Sequence, residues 1–306
     1  MTDIPARIED LVATAVGEFE VVAEHSWPGP DRPQIWEVRG SDGQRWFIKR
    51  HAGPKGHRRE VRAYQSWTHY LGAGRAPTLV AADAVTRAIV ITPVAGQSMH
   101  SHPLEGRDEL EAYQQAGYLL ALLHSAPTDT LTQAVVSEDE WEAAVEKMLN
   151  DAAFHLPADV TAMLRDLTRE RPGALPAQVC HADYQPRNWL WDSTTRTLRL
   201  IDFERTCVEP AVKRDLPRLQ LRILASRPKV RAAFYDGFGR DLTPAERHAC
   251  IAYGAQDAVS ALKWGLEHQD VDTVDAAHTM LENLRVHYNH RRMHSPSTGR
   301  CPSWRR

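Results

Sequence analysis

The chain of 306 residues is long enough for a large core and for two lobes of ordinary domain size. Its 42% hydrophobic and 25% charged content and its formal net charge of −3 exclude a disordered chain, and no basic stripe interleaved with aromatics marks a nucleic-acid partner. The longest apolar helix candidate, AGYLLALLHS, is too short to span a bilayer, and residues 1–20 lack a basic start and an apolar signal core, so a cytoplasmic protein without a membrane partner is expected.

The first hundred residues read mainly as strands. In IWEVRG, Trp36 and Val38 alternate with Glu37 and Arg39, Asp42-Gly43 supplies a turn, and QRWFIKR returns as the partner strand. A helix follows around GHRREVRAYQSWTHYLG, ending at Gly72 or Gly74, and RAIVIT reads as a buried strand running into Pro93. After PVAG the pattern turns helical. Leu110, Tyr113, Gly117, Leu120 and Leu123 mark one helix face, ending near His124 and Pro127. The next helix opens with Ser137 and Glu140 at capping-box spacing and places Trp141, Val145, Met148 and Leu149 on one stripe. Helices resume after residue 206 and run to about residue 290, and the rest reads as a frayed tail. Cys180, Cys207, Cys250 and Cys301 form no close pairs in sequence, so neither a zinc knuckle nor a disulfide framework is expected.

Between these helical regions lies VCHADYQPRNWLWDSTTRTLRLIDFERT, residues 179–206. Trp189–Trp191 and Leu198–Ile201 read as two strands joined by a turn near Thr195, which brings Asn188 and Asp202 towards each other across the pair. Hard oxygen ligands with room left for water and phosphate suit Mg²⁺. Asp183, five residues before Asn188, can face the same volume without being a ligand.

HADYQPRN followed after thirteen residues by DFE resembles the phosphotransfer loop and metal motif of the aminoglycoside phosphotransferase family, relatives of choline kinases and more distantly of protein kinases. The resemblance covers about residues 20–290, carried by a few short segments. It implies an α+β, bilobal protein-kinase-like fold. A small β-rich N-lobe for the nucleotide would span 1–93, a larger mainly helical catalytic and substrate-binding C-lobe 94–290, and a flexible tail 291–306. It implies ATP or GTP as donor, Mg²⁺ as cofactor and a hydroxyl of a small molecule as acceptor. Asp183 then matches the catalytic carboxylate, Asn188 and Asp202 the metal ligands, and His181 a residue bracing the loop. Lys49 matches the phosphate-binding lysine, and Glu60 is the candidate to hold it, although the interval of eleven residues is short. Phe47 shares a strand face with Lys49, where it could stack on adenine or pack in the core. Backbone groups near Thr92 and Val94 would meet the adenine edge. The LA-x-LH pattern around His124 reads as packing.

Several features depart from the family pattern. HSWPGPDRPQ stands where a glycine-rich loop would cover the phosphates, and DFE replaces DFG. Arg187 can contact the γ-phosphate, the substrate or a surface carboxylate. His287, His290 and His294 have metal-compatible helical spacing but read as a solvated helix end. Residues 103–175 carry 14 acidic and 5 basic groups, and the stretch 138–151 could wall a pocket for a polycationic aminoglycoside. Residues 206–306, with 11 acidic and 16 basic groups, argue instead for a neutral or anionic acceptor. Trp141 and Trp264 could flank a ring or pack in the core. The functional expectation is an enzyme that phosphorylates a small molecule, as in antibiotic inactivation. A metabolic kinase for a choline-like, amino-alcohol or sugar acceptor is the alternative, and an inactive nucleotide-binding regulator the remote one.

Overall fold

The computed structural model describes residues 4–26, 29, 32–128 and 133–294. Its N-terminal part is one antiparallel sheet of five strands in the order β1-β2-β3-β5-β4: β1 (Phe19–Glu24), β2 (Gln34–Gly40), β3 (Arg45–Arg50), β4 (Leu79–Asp83) and β5 (Ala88–Ile91). The Asp42-Gly43 turn forms as its residue types dictate. Gly43 takes a φ of 81°, and Asp42 Oδ1 accepts the Gln44 amide at 2.9 Å. Strand alternation divides the sheet into two unlike faces. Trp36, Val38, Trp46, Ile48, Ala88 and Val90 are buried on the back, where they pack with Ile8 and Val12 of helix α1 (Ala6–Val16). That helix was not expected among the strands. Ile8 and Val12, one turn apart, give it the apolar stripe that closes the back of the sheet.

The front face carries Ile35, Lys49 and Ile89 in one cross-strand row and Glu37, Phe47 and Ile91 in the next. Helix α2 (Pro54–Ser66) follows β3, with a proline in its first turn, and continues into a 3₁₀ turn, Thr68–Leu71. The segment HSWPGPDRPQ, which departs from a glycine-rich phosphate loop, lies partly outside the described residues.

The C-terminal part contains α3 (Gly106–Ser125), α4 (Glu138–His155), α5 (Ala158–Leu167), α6 (Ala211–Arg214), α7 (Leu216–Leu219), α8 (Pro228–Phe238), α9 (Pro244–His268) and α10 (Val271–His294). The Ser137–Glu140 capping box is present at the start of α4, and Thr243–Glu246 caps α9 in the same way. Helix α10 runs to His294, so the first residues of the expected tail are helical; residues 295–306 lie outside the described residues.

Short strands tie the helices together: β6 (Gln97–Ser98), β7 (Gln133–Ala134), β8 (Leu175–Pro176), β9 (Gln178–Cys180), β10 (Trp189–Asp192), β11 (Thr197–Leu200) and β12 (Cys207–Glu209). The expected hairpin forms as β10–β11, with Trp189 opposite Leu200 and Asp192 opposite Thr197, a register that sets Asn188 beside Ile201 rather than Asp202, and β6 adds a third strand. Strand β12 pairs with β9, which sets Cys207 opposite Cys180. Two cysteines far apart in sequence are thus neighbours, though both are free thiols.

Helices α3 and α8 approach so closely that neither contact residue can carry a side chain. A Cβ on Gly117 would sit 1.9 Å from the Phe234 carbonyl oxygen, and one on Gly237 would sit 1.8 Å from that of Gln114. Around this crossing Leu119, Leu120, Leu123 and Phe234 are fully buried. Gly117→Ala is therefore expected to force the helices apart and to cost about 1–3 kcal/mol, read as a lowered Tm in thermal unfolding; an unchanged Tm would refute the close packing.

Candidate active site

Lys49 enters the interior from the front face of β3, one residue before the strand ends. Its ammonium is buried and meets three carboxylates: Glu60 of α2 at 2.8 Å, Asp202 at 2.6 Å and Glu204 at 3.1 Å. The eleven-residue interval from Lys49 therefore does reach Glu60, because the helix starts only four residues after the strand and Glu60 falls on its inward face. Burial alone would drive the lysine pKa down; the carboxylates outweigh it and hold the pKa well above its usual value. Glu60 is likewise fully buried, yet Lys49 and the His51 ring, 2.6 Å from its Oε2, keep its pKa below the usual carboxylate range. Neither His51 nor Glu204 was singled out from sequence. Each adjoins a motif residue and shares its volume.

Asp183 lies on the loop between β9 and β10 and is almost fully buried. Asn188 fixes it with one amide group: Nδ2 donates to the Asp183 carbonyl at 2.9 Å and to Oδ2 at 3.0 Å. Gln185 Nε2 and Arg187 Nη2 donate to the same carboxylate, and Arg218 Nη1 stands 4.0 Å from Oδ1. Burial opposes ionisation of Asp183, but Arg187 first, then Arg205 and His181, hold its pKa below the ordinary value. Arg187 thus contacts Asp183 itself, a partner outside the options the sequence offered. With Nδ2 of Asn188 committed, its Oδ1 accepts no hydrogen bond among the described residues.

The hairpin brings Asn188 beside the end of its partner strand, where the Asn188 carbonyl accepts the Ile201 amide at 3.1 Å. Asp202 is the next residue and adopts a φ of 66°, as Ala182 adopts 62°. Such backbone costs about 1–3 kcal/mol per residue and persists only where surroundings impose it. At Ala182 the source is Asp215. This fully buried carboxylate accepts the His181 amide at 3.1 Å and the Ala182 amide at 2.6 Å, and is itself held by His124 Nε2 at 2.9 Å. His124 therefore does more than pack: it completes a chain from α3 through Asp215 to the loop carrying Asp183. His181 is buried too, its Nε2 3.0 Å from the Ile201 carbonyl and its ring against Phe203, which matches a bracing residue.

An amide oxygen at Asn188, the Asp202 carboxylate and an excess of carboxylates around one ammonium form a hard-oxygen, net-negative donor set. That composition fits Mg²⁺. His287 and His290 join no convergent metal-ligating group among the described residues.

The nucleotide-face residues are placed less uniformly. Phe47 is half-buried on the front face beside Ile91, its ring 5.6 Å from that of His25. The Thr92 amide already donates to the Thr78 carbonyl at 3.0 Å, which leaves only its carbonyl for an adenine edge; Val94 is half-buried. Trp141 is in the core and donates to the Thr168 carbonyl at 3.0 Å, whereas Trp264 is exposed and stacks on His268.

Residues 32–253 match the model of the phosphotransferase enzyme family, and the chain belongs to that family of small-molecule kinases. Solved structures share the fold. The GDP complex of wild-type aminoglycoside 2'-phosphotransferase-IIIa is 14% identical with a TM-score of 0.65, covering 92% of this chain and 98% of the other. The GDP and kanamycin complex of APH(2")-IIia, at 14% identity and a TM-score of 0.64, covers 92% and 99%. Macrolide 2'-phosphotransferase type I, at 16% identity and a TM-score of 0.59, also covers 92% and 99%. No curated protein matches the sequence. The α+β, kinase-like fold is thereby established.

Two substitutions test the geometry. Lys49→Met leaves Glu60 buried without its ammonium, and breaking such a pair costs about 3–5 kcal/mol. Because the Glu60 pKa lies below its unfolded value, its contribution is present above an ordinary carboxylate pKa of 4.5 and is lost as pH falls through the depressed value. The deficit of Lys49→Met should therefore be largest at neutral pH and shrink as pH falls from 4.5 towards about 2, read by denaturant unfolding across pH; a pH-independent deficit would contradict the pairing. Asp215→Asn retains one acceptor for two amides, so kcat should fall about tenfold or more with nucleotide affinity unchanged, as for a misplaced loop.

Proposed function

We propose that the protein transfers the γ-phosphoryl group of ATP or GTP to a hydroxyl of a small molecule, with Asp183 taking the hydroxyl proton. The observation that carries this reading is Asp183 itself: a buried carboxylate kept ionised by arginines, on a loop whose backbone is pinned by Asp215. As the acceptor oxygen bonds to the γ-phosphorus, its proton passes to Asp183. The bond from that phosphorus to the bridging oxygen breaks, and the nucleoside diphosphate leaves. Lys49, held by Glu60, faces the donor phosphates, and Phe47, the Thr92 carbonyl and Val94 border the base. Asn188 and Asp202 would hold Mg²⁺, which when bound offsets the charge of the phosphates. We place the reaction in the cytoplasm, where the donor nucleotide is found.

Fold neighbours solved with kanamycin, gentamicin and streptomycin support an antibiotic as acceptor. One observation favours a neutral or anionic acceptor instead. Arg187, Arg205 and Arg218 all act on Asp183 or stand near it, and Arg222 joins their field, an environment hostile to a polycation. Intact polar groups at Asp183, Asn188 and Asp202 oppose an inactive regulator.

Asp183→Asn should lower turnover by about 10²–10⁴ while nucleotide binding survives, measured by mass spectrometry of the products from a panel of hydroxyl acceptors and by calorimetry with the nucleotide. Undiminished phosphorylation by that variant would remove Asp183 from the role of base.

A further inference from the structure

Beside Asp183 the fold builds a cavity of about 290 Å³ lined by Lys55, Arg59, Arg205, Lys213, Arg214 and Arg218. Helix α2 contributes through two adjacent stripes, each with i, i+4 spacing. Gly56 and Glu60 face the Lys49 cluster, where a Cβ on Gly56 would lie 3.4 Å from His51 and 3.9 Å from Glu204. Lys55 and Arg59, one position round the helix, line the cavity. Ala182 forms part of its wall, so it opens next to the proposed base rather than in the Lys49 site.

These cations are only partly neutralised. Glu209 pairs with Lys213 at 2.6 Å and also with Arg214, and Asp257 holds Arg218 through two hydrogen bonds of 2.7 Å. Among the described residues no carboxylate lies within ion-pairing reach of Lys55, Arg59 or Arg205. Cys207, also on the wall, adds no negative charge, since burial pushes its thiol up to about 11. Three carboxylates, Glu209, Asp257 and, 4.0 Å from Arg218, Asp183, thus face six cations. Four of the six are guanidiniums, whose planar forks suit the paired oxygens of a phosphate.

We propose that this cavity receives a phosphate monoester carried by the acceptor, so that the enzyme phosphorylates a hydroxyl of a small compound that already bears a phosphate. The proposal rests on the kinase reading above and narrows its acceptor. The volume suits the charged head of a small molecule, and Arg218, bridging the cavity wall and the neighbourhood of Asp183, brings the anion and the reactive hydroxyl within one small ligand's reach. A reaction that installs the first phosphate must then precede this one.

The test uses the full chain and Arg59→Gln/Lys213→Gln, two cavity residues outside the Lys49 and Asp183 contacts. Calorimetry at low ionic strength compares inorganic phosphate, a hexose phosphate and the parent hexose. Phosphate and hexose phosphate should bind wild type, the hexose about tenfold more weakly or not at all, and the double variant should lose about tenfold or more in phosphate affinity with nucleotide affinity unchanged. No phosphate binding, or equal binding by both proteins, would overturn the site. With ATP and Mg²⁺, the kcat/KM for phosphorylated acceptors should fall by a similar factor in the variant, through KM, while that for a neutral acceptor should not. Turnover of kanamycin or neutral hydroxyl compounds without turnover of phosphomonoesters would overturn the acceptor assignment. Absence of any product despite nucleotide binding would strike the kinase reading itself, and the phosphate measurement would still decide whether the cavity binds anions.

Discussion

One buried ammonium ties the sheet, helix α2 and the polar hairpin together at the candidate site. Lys49 cannot stay charged in the interior without carboxylates, and the three it meets come from two parts of the chain: Glu60 from α2, Asp202 and Glu204 from the segment after β11. The ion cluster therefore fixes the sheet, its helix and the hairpin to one another. Buried pairs of this kind are weak as net stabilisers, because desolvation offsets their attraction, but they are strict about position. The excess of carboxylate over ammonium also has chemical meaning. It leaves a negative site ready for a cation at the place where the donor phosphates are proposed to lie.

A second buried ion, Asp215, orders the loop rather than the lobes. It accepts two successive backbone amides and so imposes the positive φ of Ala182, the residue that aims Asp183. His124 in turn keeps Asp215 in place. The carboxylate of Asp183 is thus oriented from behind through the backbone and from the side by Asn188, two independent constraints on one group.

Much of this was legible in the sequence where the signal was local. Period-two alternation and the Asp42-Gly43 turn identified β2 and β3, and the Asp192–Thr195 turn marked β10 and β11 as a hairpin. The spacing from Asp183 through Asn188 to Asp202 followed. Contacts between distant segments were not legible. His124 and Asp215 are 91 residues apart and neither stands in a periodic pattern that marks a partner. Glu204 looked like a mere replacement of a glycine, because its value depends on where Lys49 ends. Helix α1 was missed because its stripe is short and acquires a partner only when the sheet forms. The approach of Cys207 to Cys180 was hidden for the same reason, since the pairing of β9 with β12 is itself non-local.

Segment charge counts carried partial information. The acidic stretch 138–151 offered a wall for a cationic acceptor, yet Glu140 is engaged at the helix cap with Ser137, and Asp151 binds Lys147 and Lys263. The basic excess after residue 206 proved more informative, because Lys213, Arg214 and Arg218 converge rather than scatter. Even so, half of the cavity's cations come from outside that region: Lys55 and Arg59 from a helix in the first hundred residues, and Arg205 from the residue just before it. Net charge along a sequence becomes electrostatics only when the fold decides which charges share a volume. Here it sets an anion-seeking cavity and a cation-seeking cluster on adjacent stripes of one helix, with Asp183 nearby.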